Sequence, residues 1–165
     1  MEYERIVPFI PNLRRYARAL LGDRHLADDL VQDTLERAVR KFHLWQPGDL
    51  RAWLFSIMHN VFVNQLKARK IVPSQEVDET FAGATTPGWV TDVHDLERAL
   101  VKLSAEQREV VLMVGLEDMS YEEVSRSLGI PIGTVMSRLS RGREKLRRIV
   151  NGDPARTNPS LRIVQ

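Results

Sequence analysis

Apolar residues in the first seventy positions recur at three- and four-residue steps, with no strand-like alternation of any length. Ile6, Phe9, Ile10, Leu13, Ala17, Leu20 and Leu21 form one series, closed by Gly22-Asp23 and bent or interrupted at its start by Pro8 and Pro11. A second helix fits His25 to Phe42, with Leu26, Leu30, Val31, Leu35, Ala38, Val39 and Phe42 on its inner stripe. Pro47-Gly48 makes a turn, and Asp49 is placed to cap a third helix from Leu50 to about Lys70. Leu50, Trp53, Leu54, Ile57, Met58, Val61, Phe62 and Leu66 give that helix a broad apolar face.

The period fails over residues 71–94, where Pro73, Gly83, Pro87 and Gly88 accumulate among Ser and Thr. A structureless stretch of that length is unusual inside one compact domain and marks a linker. Helix resumes from His94 to Leu103, with Leu96, Ala99, Leu100 and Leu103 inward. Ser104 stands three residues before Gln107, and Ser120 three before Glu123, each a capping-box spacing. The helix opened by Ser120 stops at Gly129, and Pro131 suits the first turn of a last helix reaching about Val150. The predicted class is all-α: two small helical bundles, residues 1–70 and 95–150, joined by a flexible linker over 71–94, with a disordered tail over 151–165.

Charge sharpens the picture. Net charge is only +2, but residues 126–148 hold seven Lys or Arg and a single acid, Glu144. Residues 71–93 hold four acids and no Lys or Arg. A short capped helix, a glycine turn and an arginine-rich helix describe a helix-turn-helix over 120–147. Val124, Leu128, Ile130, Val135 and Leu139 supply its small core. Thr134, Ser137, Arg138, Arg141 and Lys145 occupy the other side, with Arg143 beside them, where a recognition helix meets base edges and phosphates.

Absences narrow the chemistry. The chain has no cysteine, which excludes disulfides, thiol catalysis and Cys-ligated zinc. His25, His43, His59 and His94 are scattered, with no pair at the spacing of a helical metal site. There is no phosphate-binding glycine loop and no nucleophile elbow, so neither a catalytic role nor a cofactor is expected. No run approaches the ~18 apolar residues of a membrane helix. The mixed-charge start, Met1-Glu2-Tyr3-Glu4-Arg5, lacks the layout of a secretory signal, which leaves the cytoplasm as the expected location.

Three segments resemble the extracytoplasmic-function (ECF) sigma factors, small members of the sigma-70 family. They are Asp28-Asp29-Leu30-Val31-Gln32-Asp33-Thr34, then Leu50-Arg51-Ala52-Trp53-Leu54-Phe55-Ser56-Ile57, then Gly133 to Arg143. The resemblance covers roughly residues 3–70 and 94–150. It implies a sigma region 2-like domain, a region 4-like domain, and a role in promoter recognition and opening with core RNA polymerase.

On this resemblance Asp29, Gln32, Asp33 and Glu36 line the helix that docks on the polymerase β′ clamp, with the β flap as a further contact. Ser56, His59, Asn60, Asn64 and Lys67 face the −10 element, and Thr134, Ser137, Arg138, Arg141 and Arg143 the −35 element. The amide and hydroxyl groups on the third helix suit an extruded base or single strand, and lysine suits phosphate. An anti-sigma factor is the implied regulator. His59 stands where the family commonly has arginine, Asn64 where it has aspartate, and Met136 where it often has lysine. Two other readings fit part of the pattern. One is a stand-alone helix-turn-helix regulator that dimerises on paired half-sites; the other is a sigma mimic that occupies an anti-sigma partner.

Overall fold

Each helix starts and stops where local chemistry directs it. The computed structural model describes residues 2–69 and 92–152, and every regular element among them is helical. A 3-10 segment, Glu2–Phe9, leads into α1 (Ile10–Leu21), α2 (Arg24–Lys41) and, after a 3-10 turn at Phe42–Leu44, α3 (Leu50–Arg69). Then come α4 (Asp92–Val101), α5 (Ala105–Gly115), α6 (Tyr121–Leu128) and α7 (Ile132–Val150). The linker expected over 71–94 lies outside the described residues up to its last three, which already belong to α4. The tail expected over 151–165 lies outside them beyond Gly152.

The prolines act as the sequence predicts: the 3-10 segment carries Pro8, and Pro11 sits in the first turn of α1, where its missing N–H has no intrahelical acceptor to lose. Gly22 ends α1 in the left-handed region at φ 67°, its N–H donating to the Arg18 carbonyl. The side chains of Asp23 and Asp49 each accept from the backbone N–H three residues on, at 3.0 Å. Ser120 and Glu123 form the complete reciprocal box, whereas at Ser104 the serine half forms, accepting from the Gln107 N–H at 3.2 Å. Pro131 is the capping residue of α7 and stands one position ahead of its first turn.

Tyr16, Phe55, Phe62, Leu13, Leu20, Leu30, Leu54 and Met58 are fully buried where α1, α2 and α3 meet, the Tyr16 ring standing edge-on to Phe55 at 4.9 Å. Side chains of this size contribute about 1.5–3 kcal/mol each on burial. Two expected inward positions point elsewhere. Val39 is 47% exposed, because α2 needs only Ala27, Leu30, Val31, Thr34 and Ala38 to meet its neighbours. Leu96 is 42% exposed and lines an open groove.

The two halves touch. α6 packs on α3, and α4 and α5 pack on α1, so one contiguous apolar cluster runs through both. Within the second half α7 lies close against α5 at Gly142, where an added Cβ would stand 2.7 Å from Val111 Cγ2 and 3.4 Å from Gln107 Cβ. Both neighbours belong to α5, and the β-branched Val111 has little rotamer freedom to yield. Gly142→Ala is expected to destabilise the chain by about 1 kcal/mol net, overpacking outweighing the helix-propensity gain. In a urea-unfolding cycle the cost should shrink in a Val111→Ala background. An additive cycle would show that the two helices are not in close contact there.

Candidate functional site

The acidic positions on α2 lie opposite its buried stripe. Asp29, Gln32, Asp33 and Glu36 are all exposed, while Leu30, Val31 and Thr34 face the core. The stripe is lightly tied: Gln65 of α3 donates to Asp33 at 3.2 Å, and Arg40 pairs with Glu36 at 2.9 Å between exposed side chains. Such contacts stabilise by well under 1 kcal/mol and yield readily to a partner.

The polar set on α3 divides. Asn60, Asn64 and Lys67 are exposed at helical steps. Ser56 is half-buried and donates to the Trp53 carbonyl at 2.6 Å. His59 is half-buried and engaged across the two halves, its Nδ1 against Glu109 Oε2 of α5. The second half therefore covers the edge of the face for which the family resemblance implies −10 recognition.

On α7, Ser137, Arg141 and Arg143 are exposed, and Thr134 is half-buried. Arg138 leans back to Glu106 of α5 at 3.7 Å. Val135 and Leu139 fill the core beneath them. α6, the Gly129 turn at φ 66° and α7 form the helix-turn-helix expected over 120–147.

Sequence reasoning missed the residues that join the halves. Arg15 of α1 holds the Glu117 carboxylate through two contacts of 3.1 and 3.3 Å, and that side chain is fully buried. Arg51 of α3 donates to the Glu117 carbonyl at 3.0 Å and to Glu123 at 2.9 Å. Ser127 donates to the Ala52 carbonyl at 2.9 Å. Glu109 stands inside the run Glu109-Val110-Val111-Leu112-Met113. A carboxylate on an apolar helix face was the available signal, since a buried acid needs a donor from somewhere.

The environment moves these acids apart. Hydrogen bonding with the Asp49 side chain, and then with the Arg51 guanidinium, outweighs partial burial and holds the Glu123 carboxyl down at about 2. Burial pushes Glu109 up, opposed by His59. Burial likewise raises the Tyr16 phenol, and the charges of Glu109 and Glu117 add to that.

Between α1, α4, α5 and α7 lies an open groove of about 790 Å³. Leu96, Leu100, Leu116 and Leu146 line it with Arg14 and Arg18. Among the described residues no group of acids and histidines could hold a metal ion, and no helix is long and apolar enough to cross a membrane.

Residues 6–59 match the family model described as the Sigma2 domain of PhyR, and residues 94–146 match Sigma-70, region 4. The ECF RNA polymerase sigma factor EcfG of Rhodopseudomonas palustris (strain TIE-1) is 36% identical over 155 residues, covering 91% of this chain and 85% of that protein. The ECF RNA polymerase sigma factor SigE of Mycolicibacterium smegmatis is 36% identical over 141 residues, covering 81% of this chain and 55% of its own length. The sigma factor RpoE from Bartonella quintana, solved in complex with the anti-sigma factor NepR, superposes with a TM-score of 0.73 at 33% identity. That match covers 91% of this chain and 96% of the solved one.

The inter-half contacts make a pH-dependent prediction. Folding favours ionised Glu123, so its contribution is complete above the ordinary carboxylate range and is lost as pH falls from about 4.5 toward 2. Glu109 has the opposite sign, since the folded chain takes up its proton more readily. Arg51→Ala should cost about 2 kcal/mol at neutral pH, leaving the Glu117 carbonyl and the Glu123 carboxylate short of a donor. Urea titration should show the gap between parent and variant narrowing below about pH 4.5. A gap independent of pH would place the Arg51 contribution elsewhere.

Proposed function

The chain belongs to the ECF RNA polymerase sigma factors, a family of promoter-recognising regulators rather than enzymes, and we propose that it directs initiation through three separate helix faces. The α2 stripe of Asp29, Gln32, Asp33 and Glu36 binds core polymerase at the β′ clamp. Asn60, Asn64 and Lys67 of α3, with Ser56 and His59 beside them, receive the −10 element. Thr134, Ser137, Arg138, Arg141 and Arg143 of α7 receive the −35 element. The observation that carries this reading is the placement of the three sets: each lies on its own helix with most of its members exposed, and each backs onto a buried apolar stripe that fixes it.

Geometry adds a requirement. The two promoter elements are centred roughly 25 base pairs apart, about 85 Å of duplex at 3.4 Å per step. α6 packs against both α3 and α7, and packed helix axes lie about 8–10 Å apart, so α3 and α7 approach within about 20 Å of each other. The docked form cannot hold both elements of a straight duplex at once. The halves separate when promoter is bound, and separation frees His59 from Glu109 for the −10 strand.

Control by an anti-sigma factor belongs to the same reading and draws support from the RpoE–NepR complex. The groove beside α4, apolar along Leu96, Leu100, Leu116 and Leu146, with Arg14, Arg15 and Arg18 on its α1 side against Glu97 on α4, suits an amphipathic helix whose acids face α1.

In vitro transcription from a genomic promoter library, with core polymerase alone and with the chain added, tests the function directly. The chain should switch on a defined promoter set. Asp29→Lys with Asp33→Lys should reduce polymerase binding at least tenfold while far-ultraviolet circular dichroism stays unchanged. A folded double variant with undiminished polymerase affinity would remove α2 as the docking helix. A chain that binds paired operator half-sites without polymerase would favour a stand-alone regulator.

A further inference from the structure

Resting on the promoter-binding reading, we propose that Met136, backed by Ile132 one helical turn earlier, contacts the 5-methyl group of a thymine in the −35 element. This chain then selects a T·A pair there by apolar contact.

The first two turns of α7 differ from the rest of the helix. Beyond Gly142 the helix carries Arg143, Lys145, Arg147 and Arg148. Nearer its start the outward side carries Ile132, 42% exposed, and Met136, 52% exposed. At i and i+4 these two form one apolar ridge. The fold does not require them there, because Val135 and Leu139 occupy the core positions of the same turns. Beside the ridge Gly133, Ser137 and Ser140 are exposed and small. A Cβ added at Gly133 would meet nothing within 4 Å, so no internal packing selects glycine there. The low profile on that side leaves room for a body approaching from outside. It lets the helix sink far enough for Met136 to reach the groove floor.

That floor supplies one matched partner. In the major groove every base edge presents hydrogen-bonding groups, and the only apolar group is the C5-methyl of thymine. Against guanine O6 and N7, or the cytosine amino group, Met136 would strip water from polar atoms and return nothing. Its unbranched thioether adapts to the exact position of a methyl. The basic residues further along α7 supply the phosphate contacts that set the register.

The test uses the full chain assembled with core polymerase on a promoter recovered by selection. Each −35 thymine is replaced in turn by deoxyuridine, which removes the methyl and keeps every hydrogen-bonding group. Burying one methyl corresponds to about 0.8 kcal/mol, so uracil at one position should weaken binding by the parent about fourfold. Met136→Ala, at an exposed site outside the core, should bind the thymine promoter more weakly by a similar factor and should not distinguish uracil from thymine there. Equal binding of parent to uracil and thymine at every −35 position, or a thymine preference retained in Met136→Ala, overturns the inference and leaves the promoter-binding reading intact. Absence of any −35 protection by the holoenzyme contradicts that reading itself.

Discussion

One guanidinium joins the ends of two helices. Arg108 of α5 donates to the carbonyls of Leu100, Val101 and Leu103, where α4 ends, at 2.7–2.9 Å. A fourth bond, of 2.6 Å, reaches the carbonyl of Leu20 in the last turn of α1. Helix C-termini leave carbonyls without intrahelical donors and carry partial negative charge, and the five donors of an arginine fork can serve two of them together. Arg108 therefore terminates α4 within its own half and ties that half to α1. Further polar contacts join the halves at Arg15, Arg51, Ser127 and Glu109, beside the apolar cluster that runs through both.

What was legible in the sequence was local. The Ser120–Glu123 box, the cap at Asp49, and the stops at Gly22 and Gly129 depend on residues within four positions of one another, and each appears where the spacing places it. The exposed polar positions on α2, α3 and α7 were equally readable, lying opposite an apolar stripe. The meeting of the halves was not. Glu117 accepts from Arg15, 102 positions away, and His59 meets Glu109 from 50 positions away. No periodicity encodes such pairs. Leu96 was placed inward by period alone and instead lines a groove, because a period gives the side of a helix and not the presence of a neighbour.

His59 concentrates the functional consequence. It occupies the face assigned to promoter DNA and also closes the contact with the second half. One imidazole cannot serve both, so on the proposed function occupation of the −10 face and docking of α5 oppose each other. Coupling of this kind arises from shared residues and needs no separate regulatory element. Glu109, a carboxylate inside the α5 apolar run, is costly to bury alone; His59 hydrogen-bonds its charged form, and the nearby Arg138 charge favours that form as well.

The claim that the halves dock in the free chain and part on promoter DNA is open to one direct measurement. The chain has no cysteine, so Val39→Cys and Val150→Cys, both at exposed positions in opposite halves, give a uniquely labelled pair for single-molecule energy transfer. The free chain should show one high-transfer population, replaced by a low-transfer population when core polymerase and promoter DNA are added. An unchanged transfer efficiency in the transcribing complex, or a free chain already in the low-transfer state, would contradict the account.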